Sequence, residues 1–135
     1  MSRYEPVSAD AEEVSRQVID SAIKVHRALG PGLLECVYEQ CLHYELTSRG
    51  FTAARQVPVP VIYGDIAIDG GLKLDLLVGG VVIVELKAVE QAIPLYEAQL
   101  LTYLKLARKQ LGLLINFNVP LLKHGIKRII LTSPS

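Results

Sequence analysis

No apolar run in the 135-residue sequence approaches the roughly 18–20 residues that a membrane-spanning helix needs, so no membrane association is expected. Neither sign of charge is in excess. Fourteen Lys and Arg balance fourteen Asp and Glu, for a formal net charge of zero. This excludes indiscriminate, charge-driven binding to nucleic acid and leaves room only for a local basic groove. Cysteine is scarce: Cys36 and Cys41 are the only two. Five apart on a helix, they point roughly 140° away from each other, so they cannot easily bridge. Two thiols alone make no zinc site. They read as free thiols of a reducing, cytoplasmic compartment. The opening MSRYEPVSADAEE is polar and acidic and does not read as a signal peptide. Internal repeats and low-complexity segments are also missing.

What is present is an ordinary globular composition, half apolar and about a fifth charged. Residues 1–7 read as a flexible tail and 8–135 as one domain, long enough for a real core. Ser8 is placed to cap a helix, with Glu12 and Glu13 in its first turns. Val14, Val18, Ala22, Val25 and Leu29 follow at helical spacing, and Gly30-Pro31-Gly32 stops that helix. A second helix is expected from about Leu33 to Ser48, with Leu34, Val37, Tyr38, Cys41, Leu42 and Leu46 as its apolar stripe. Arg49-Gly50 ends it.

The period then changes to two. Gln56–Tyr63 carries prolines at alternate positions and suits an edge strand. Ile66–Ile68 and Leu72–Val78 are strand-like, with an interruption expected at Asp69-Gly70-Gly71. Gly79-Gly80 turns the chain onto Val81–Ala88. Pro94 fits the first turn of a third helix, with Leu95, Ala98, Leu101, Leu104 and Leu106 toward its buried side and Gly112 as its breaker. Leu113–Phe117 and Ile126–Leu131 are short strands. The order α-α-β-β-β-α-β-β implies a mixed α/β (α+β) sheet covered by helices.

Chemistry concentrates in KLDLLVGGVVIVELKA, residues 73–88. Val81–Val84 is the β-branched run of a strand buried on both faces, yet it ends in Glu85-Leu86-Lys87. Glu85 and Lys87 share a face of that strand and Leu86 takes the other. The turn decides where Asp75 falls. A two-residue Gly-Gly loop sets it opposite Val84, on the wrong face. A three-residue loop, Val78-Gly79-Gly80, sets it opposite Ile83 and diagonal to Glu85, and a bulge near Asp75 serves equally. If the three groups converge, two close carboxylates cannot both ionise unless a cation joins them. Mg²⁺ or Mn²⁺ suits such oxygen ligands, and a nearby lysine can orient the attacking water or meet charge developing on a phosphate. Without convergence, Glu85 and Lys87 are a solvated pair or guards against edge pairing. Glu35 and Glu39 share a face of the second helix. Gln99 and Tyr103 repeat that spacing on the third, where a hydrogen bond at the core's edge is the simpler account.

VHRALGPGLLECVYEQCL contains G-x-x-E-x-x-Y as Gly32, Glu35 and Tyr38. With DLLV, VIVELKAV, EAQLLTYLK and GLLINF in that order, the chain resembles the GxxExxY family, grouped with the PD-(D/E)XK nuclease-like superfamily. The resemblance runs from about Val18 to Ile130. It implies a restriction-endonuclease-like αβββαβ core with an extra N-terminal helix. It implies a metal-dependent nuclease acting on DNA or RNA, with Asp75, Glu85 and the backbone carbonyl of Leu86 holding Mg²⁺ or Mn²⁺, and Lys87 positioning water. Glu39 matches the helix acid, also a metal ligand, and Glu35 one turn away can serve instead. Gln99 lies where relatives carry a helical polar residue near the site. Leu74 stands where many carry a proline. His26 takes no superfamily role and reads as a helix-packing histidine. Arg49, Arg55, Lys73, Lys105, Arg108 and Lys109 are candidate phosphate contacts. The other readings are a non-catalytic module that binds nucleic acid or protein on the same fold, and a homodimer or subunit of a larger complex, with Gln56–Val61 and the last strand as interface edges.

Overall fold

In a computed structural model that describes residues 6–132, the chain forms α1 (Ala9–Leu29), α2 (Glu35–Ser48), β1 (Ala53–Tyr63), β2 (Ile66–Val78), β3 (Val82–Lys87), α3 (Pro94–Ala107), β4 (Leu111–Asn116), a short 3₁₀ turn (Leu122–Gly125) and β5 (Ile126–Ile130). This is the expected order with the 3₁₀ turn added. The five strands lie in the order β1-β2-β3-β4-β5. β3 and β4 are parallel, joined through α3, and the other neighbours are antiparallel, as a helical crossover requires. Residues 1–5 of the expected tail lie outside the described residues, and Val7 packs against the core.

Both faces of the sheet are covered. On one, Val14, Val18, Ala22 and Val25 of α1 and Tyr38, Leu42 and Leu46 of α2 pack on Leu76, Val78, Val82, Val84 and Leu86. On the other, Leu100 and Leu104 of α3 pack on Leu72, Leu74, Ile83 and Leu114. Ser8 caps α1 by accepting from the Ala11 N–H at 3.1 Å, a contact worth about 1 kcal/mol. Tyr38 stacks on Phe117 at 4.4 Å between centroids, which adds about 1 kcal/mol beyond its burial. Its hydroxyl donates to the Gly30 carbonyl at 2.6 Å and accepts from the Leu33 N–H at 3.1 Å. This side chain therefore fixes the Gly-Pro-Gly turn between α1 and α2.

Several expectations are corrected. Leu34 is the residue before α2 and 72% exposed, because the inward stripe begins one turn later at Tyr38. α3 buries Leu100 and Leu104, whereas Leu95, Ala98 and Leu101 face out. Its sequence is apolar on several sides, and only packing selects among them. α3 ends at Ala107, where Arg108 takes a left-handed φ of 57°. Gly112 instead lies inside β4, where a Cβ would come within 3.0 Å of Leu100. The Asp69-Gly70-Gly71 stretch does not interrupt β2. The strand runs through it, with Gly70 at φ 73° and a register shift between Val59 and Val61 on β1.

The hairpin register is odd, in the opposite sense to the one considered. Val78 pairs with Val82, so the loop is Gly79-Gly80-Val81, with both glycines left-handed at φ 61° and 70°. Asp75 is then directly opposite Glu85. A second device lies on β2. Leu72 and Leu74 belong to the α3 face, but Leu76 and Val78 belong to the opposite face. The same switch occurs on β1 between Ala53 and Val57, at Gln56, whose φ is 50°. Both strands change faces at the Gln56–Asp75 step, while the pairing keeps one register on either side of it, Arg55 with Leu76 and Val57 with Leu74.

Candidate active site

The ladder between β2 and β3 stops at Leu76 opposite Val84. Beyond it, side chains replace backbone acceptors. Glu85 accepts from the Asp75 N–H at 2.9 Å, and Asp75 accepts from the Leu86 N–H at 2.8 Å. Each carboxylate bonds to the opposite strand, which holds the two acids together where the strands part. Glu85 is 8% exposed. Burial, then the neighbouring Asp75 charge, pushes its carboxyl from 4.5 up to about 8. Asp75 is also raised, by burial first and against the Leu86 N–H that favours its ionised form. These are the expected responses of two acids in one desolvated place.

α2 supplies two further acids. Glu39 is 5% exposed and gives one oxygen to Arg55 Nε at 3.1 Å and the other to Gln56 Nε2 at 2.8 Å. The Gln56 side chain also favours the ionised form of Asp75. The left-handed residue on β1 thus links the helix acid to the strand acid. Glu35, one turn earlier, is exposed, and its carboxyl is raised by burial and then by Asp75. Lys87 follows on the Glu85 face. Its charge lowers the carboxyls of Glu35, Asp75 and Glu85, yet its ammonium sits over the Tyr96 ring, 4.5 Å from the centroid.

From the other face, the Tyr103 phenol is raised by burial and then by Glu85 and Asp75, so α3 also borders the site. Gln99 is half-buried between Tyr96 and Tyr103 on that helix. It makes no hydrogen bond to the cluster among the described residues. The Leu86 side chain points into the opposite core, which leaves its backbone on the site. His26 bonds the Val119 carbonyl through Nε2 at 2.8 Å and packs near Phe117, in keeping with a helix-packing role. Arg49 is held by Asp20 and Glu45. Lys73, Lys105, Arg108 and Lys109 make no ion pair among the described residues.

Two contributors escape a reading of the sequence. Nothing marks Gln56 for a left-handed conformation, because the signal lies in the register of its neighbours. Nothing in the sequence singles out Tyr96, whose part depends on where the Lys87 ammonium lies.

Among the described residues no three His, Cys, Asp or Glu side chains converge closely enough to hold a metal alone. The fit of a hard divalent cation rests on the Asp75–Glu85 pair. Mg²⁺ uses one or two carboxylates, keeps several waters, and would offset the mutual repulsion that raises both acids.

A five-stranded mixed sheet between helices, with Asp75 and Glu-x-Lys meeting at a break between strands, is a restriction-endonuclease-like arrangement. The family model of the PD-(D/E)XK nuclease superfamily matches residues 12–129. The chain belongs to that superfamily. No curated protein and no solved structure gives a significant match. Among the described residues, no helix is long and apolar enough to cross a membrane.

Proposed function

We propose that the protein is a metal-dependent nuclease that hydrolyses phosphodiester bonds in DNA or RNA. One observation carries this reading: Glu85 is buried against Asp75, both acids are raised, and Lys87 stands beside them uncommitted to either carboxylate. Asp75, Glu85 and the Leu86 carbonyl would hold Mg²⁺ or Mn²⁺. When bound, the metal would polarise the phosphoryl oxygen and make water more acidic. Lys87 orients the attacking water and meets the charge that grows on the phosphate. Glu35 is the helix acid free to reach the metal's hydration shell, while Glu39 holds Gln56 and Arg55 in place. Gln99 closes the α3 side. Lys73, Lys105, Arg108 and Lys109 supply phosphate contacts. The Gly32, Glu35, Tyr38 signature supports placing the chain in the GxxExxY group, and its two thiols support a cytoplasmic setting.

Titrating Mn²⁺ into wild type and Asp75→Asn/Glu85→Gln by calorimetry, then adding a panel of DNA and RNA, tests this. Metal binding and metal-dependent cleavage by wild type alone are expected. Absence of both, with and without nucleic acid, refutes the reading.

A second reading, a binding module without turnover, draws on the fact that Asp75 and Glu85 also stitch β2 to β3. Nucleic acid bound with no cleavage in any metal would favour it. The exposed edges β1 and β5 are where a homodimer would form, and gel filtration reads that directly.

A further inference from the structure

We propose that Tyr96 is a positioning residue for Lys87, holding its ammonium on the ring face and away from the Asp75–Glu85 pair so that a cation can occupy that pair. The inference rests on the metal reading given above.

Lys87 lies on the same face of β3 as Glu85, two residues on, and three carboxyls feel its charge. A free lysine in such a field falls onto the nearest carboxylate. Among the described residues Lys87 makes no ion pair within 4.0 Å, although six other Lys and Arg side chains do. What it touches is the Tyr96 ring, at 4.5 Å. The negative face of an aromatic ring attracts an ammonium and, unlike a carboxylate, does not neutralise it. The ring is well anchored for the task. Pro94 opens α3, the Tyr96 N–H bonds the Ile93 carbonyl at 3.0 Å, and the side chain packs against the core formed by Leu100 and Leu104.

The consequence concerns competition. A lysine paired with Glu85 would occupy the place of a divalent cation and would itself be turned from the water it is proposed to orient. The ring keeps the positive charge near the site and the oxygens available. It is the aromatic face that matters, so the phenol hydroxyl is dispensable.

Two measurements on the whole chain test this. In metal-free protein, the ε-methylene protons of Lys87 are read by NMR for the upfield shift that a ring face imposes. Wild type and Tyr96→Phe should show it, and Tyr96→Leu should not. Mn²⁺ affinity is then measured for the same three proteins and for each in a Lys87→Met background. Tyr96→Leu should bind about tenfold more weakly, the scale of a partly desolvated cation–π contact, and Tyr96→Phe should match wild type. The Tyr96→Leu loss should vanish when Lys87 is Met. Unshifted Lys87 protons in wild type, unchanged affinity in Tyr96→Leu, or an equal loss in the Met background each overturn the assignment. Wild type that binds no Mn²⁺ refutes the metal reading and the competition with it, and the Lys87 shifts then decide the ring contact by themselves.

Discussion

Glu85 should make the metal-free protein less stable as the pH rises, and Glu85→Gln should abolish most of that loss. Below about pH 4.5 both folded and unfolded chains carry the Glu85 proton. From 4.5 to about 8 the folded chain keeps a proton that the unfolded chain releases, so raising the pH favours unfolding across that window. Above it the deficit is constant. A displacement of that size corresponds to on the order of 4–5 kcal/mol, of which relaxation and water entry should leave about 3 kcal/mol. Gln keeps an oxygen to accept the Asp75 N–H and never ionises. In EDTA, Glu85→Gln should unfold within about 1 kcal/mol of wild type near pH 4.5 and be about 3 kcal/mol more stable at pH 9, roughly 10 °C in Tm for a chain of this size. Urea denaturation across the range measures it. Asp75 and Glu35 titrate in both proteins, so the difference isolates Glu85 and its coupling to them. A gap that stays constant from pH 4.5 to 9 would refute the account. Mn²⁺ at about a hundred times its Kd should restore roughly 2.7 kcal/mol to wild type at pH 9 and little to the variant.

Gln56→Gly should weaken Mn²⁺ binding, since the amide joining Glu39 to Asp75 is lost, yet remain about 1 kcal/mol more stable than Gln56→Ala, because glycine tolerates φ 50°. Calorimetry and urea denaturation read the two effects separately. Tyr38→Phe removes the bonds to Gly30 and Leu33 and should cost about 1–3 kcal/mol in chemical denaturation. Gly125→Ala would drive a methyl group into the Asn116 carbonyl, which cannot yield without disturbing β4. A loss of about 2–3 kcal/mol is expected in thermal denaturation.

Much of this architecture was legible in the chain, and the exceptions share a cause. Ser8, the Gly30-Pro31-Gly32 stop and the Val14, Val18, Ala22 and Val25 stripe announce α1, because caps and one-sided burial are local. The stripe of α3 holds at Leu104 but not at Leu95, Ala98 or Leu101, because its leucines lie on several sides and only packing chooses Leu100 beside Leu104. Asp75, Glu85 and Lys87 were identifiable as candidates, but not their meeting. That depended on a one-residue choice of loop between apolar faces that look alike. Gln56 had no local signal at all, since its conformation follows from strands changing faces at a point set by tertiary packing.

The exchange of hydrogen bonds between Asp75 and Glu85 bears on how such chains are judged from their sequences. Each acid stands in for a missing rung of the sheet. A descendant that had lost its chemistry would still need an acceptor at both positions to keep β2 and β3 joined. Retention of an acceptor at these positions is therefore a weak witness to turnover, since Asn or Gln would serve the sheet as well. The Lys87 side chain, unlike the two carboxylates, bonds no backbone across the strands, so the sheet's hydrogen bonds place no demand on it. On the nuclease reading proposed above, Lys87 is the position whose loss would leave the frame intact and end the chemistry.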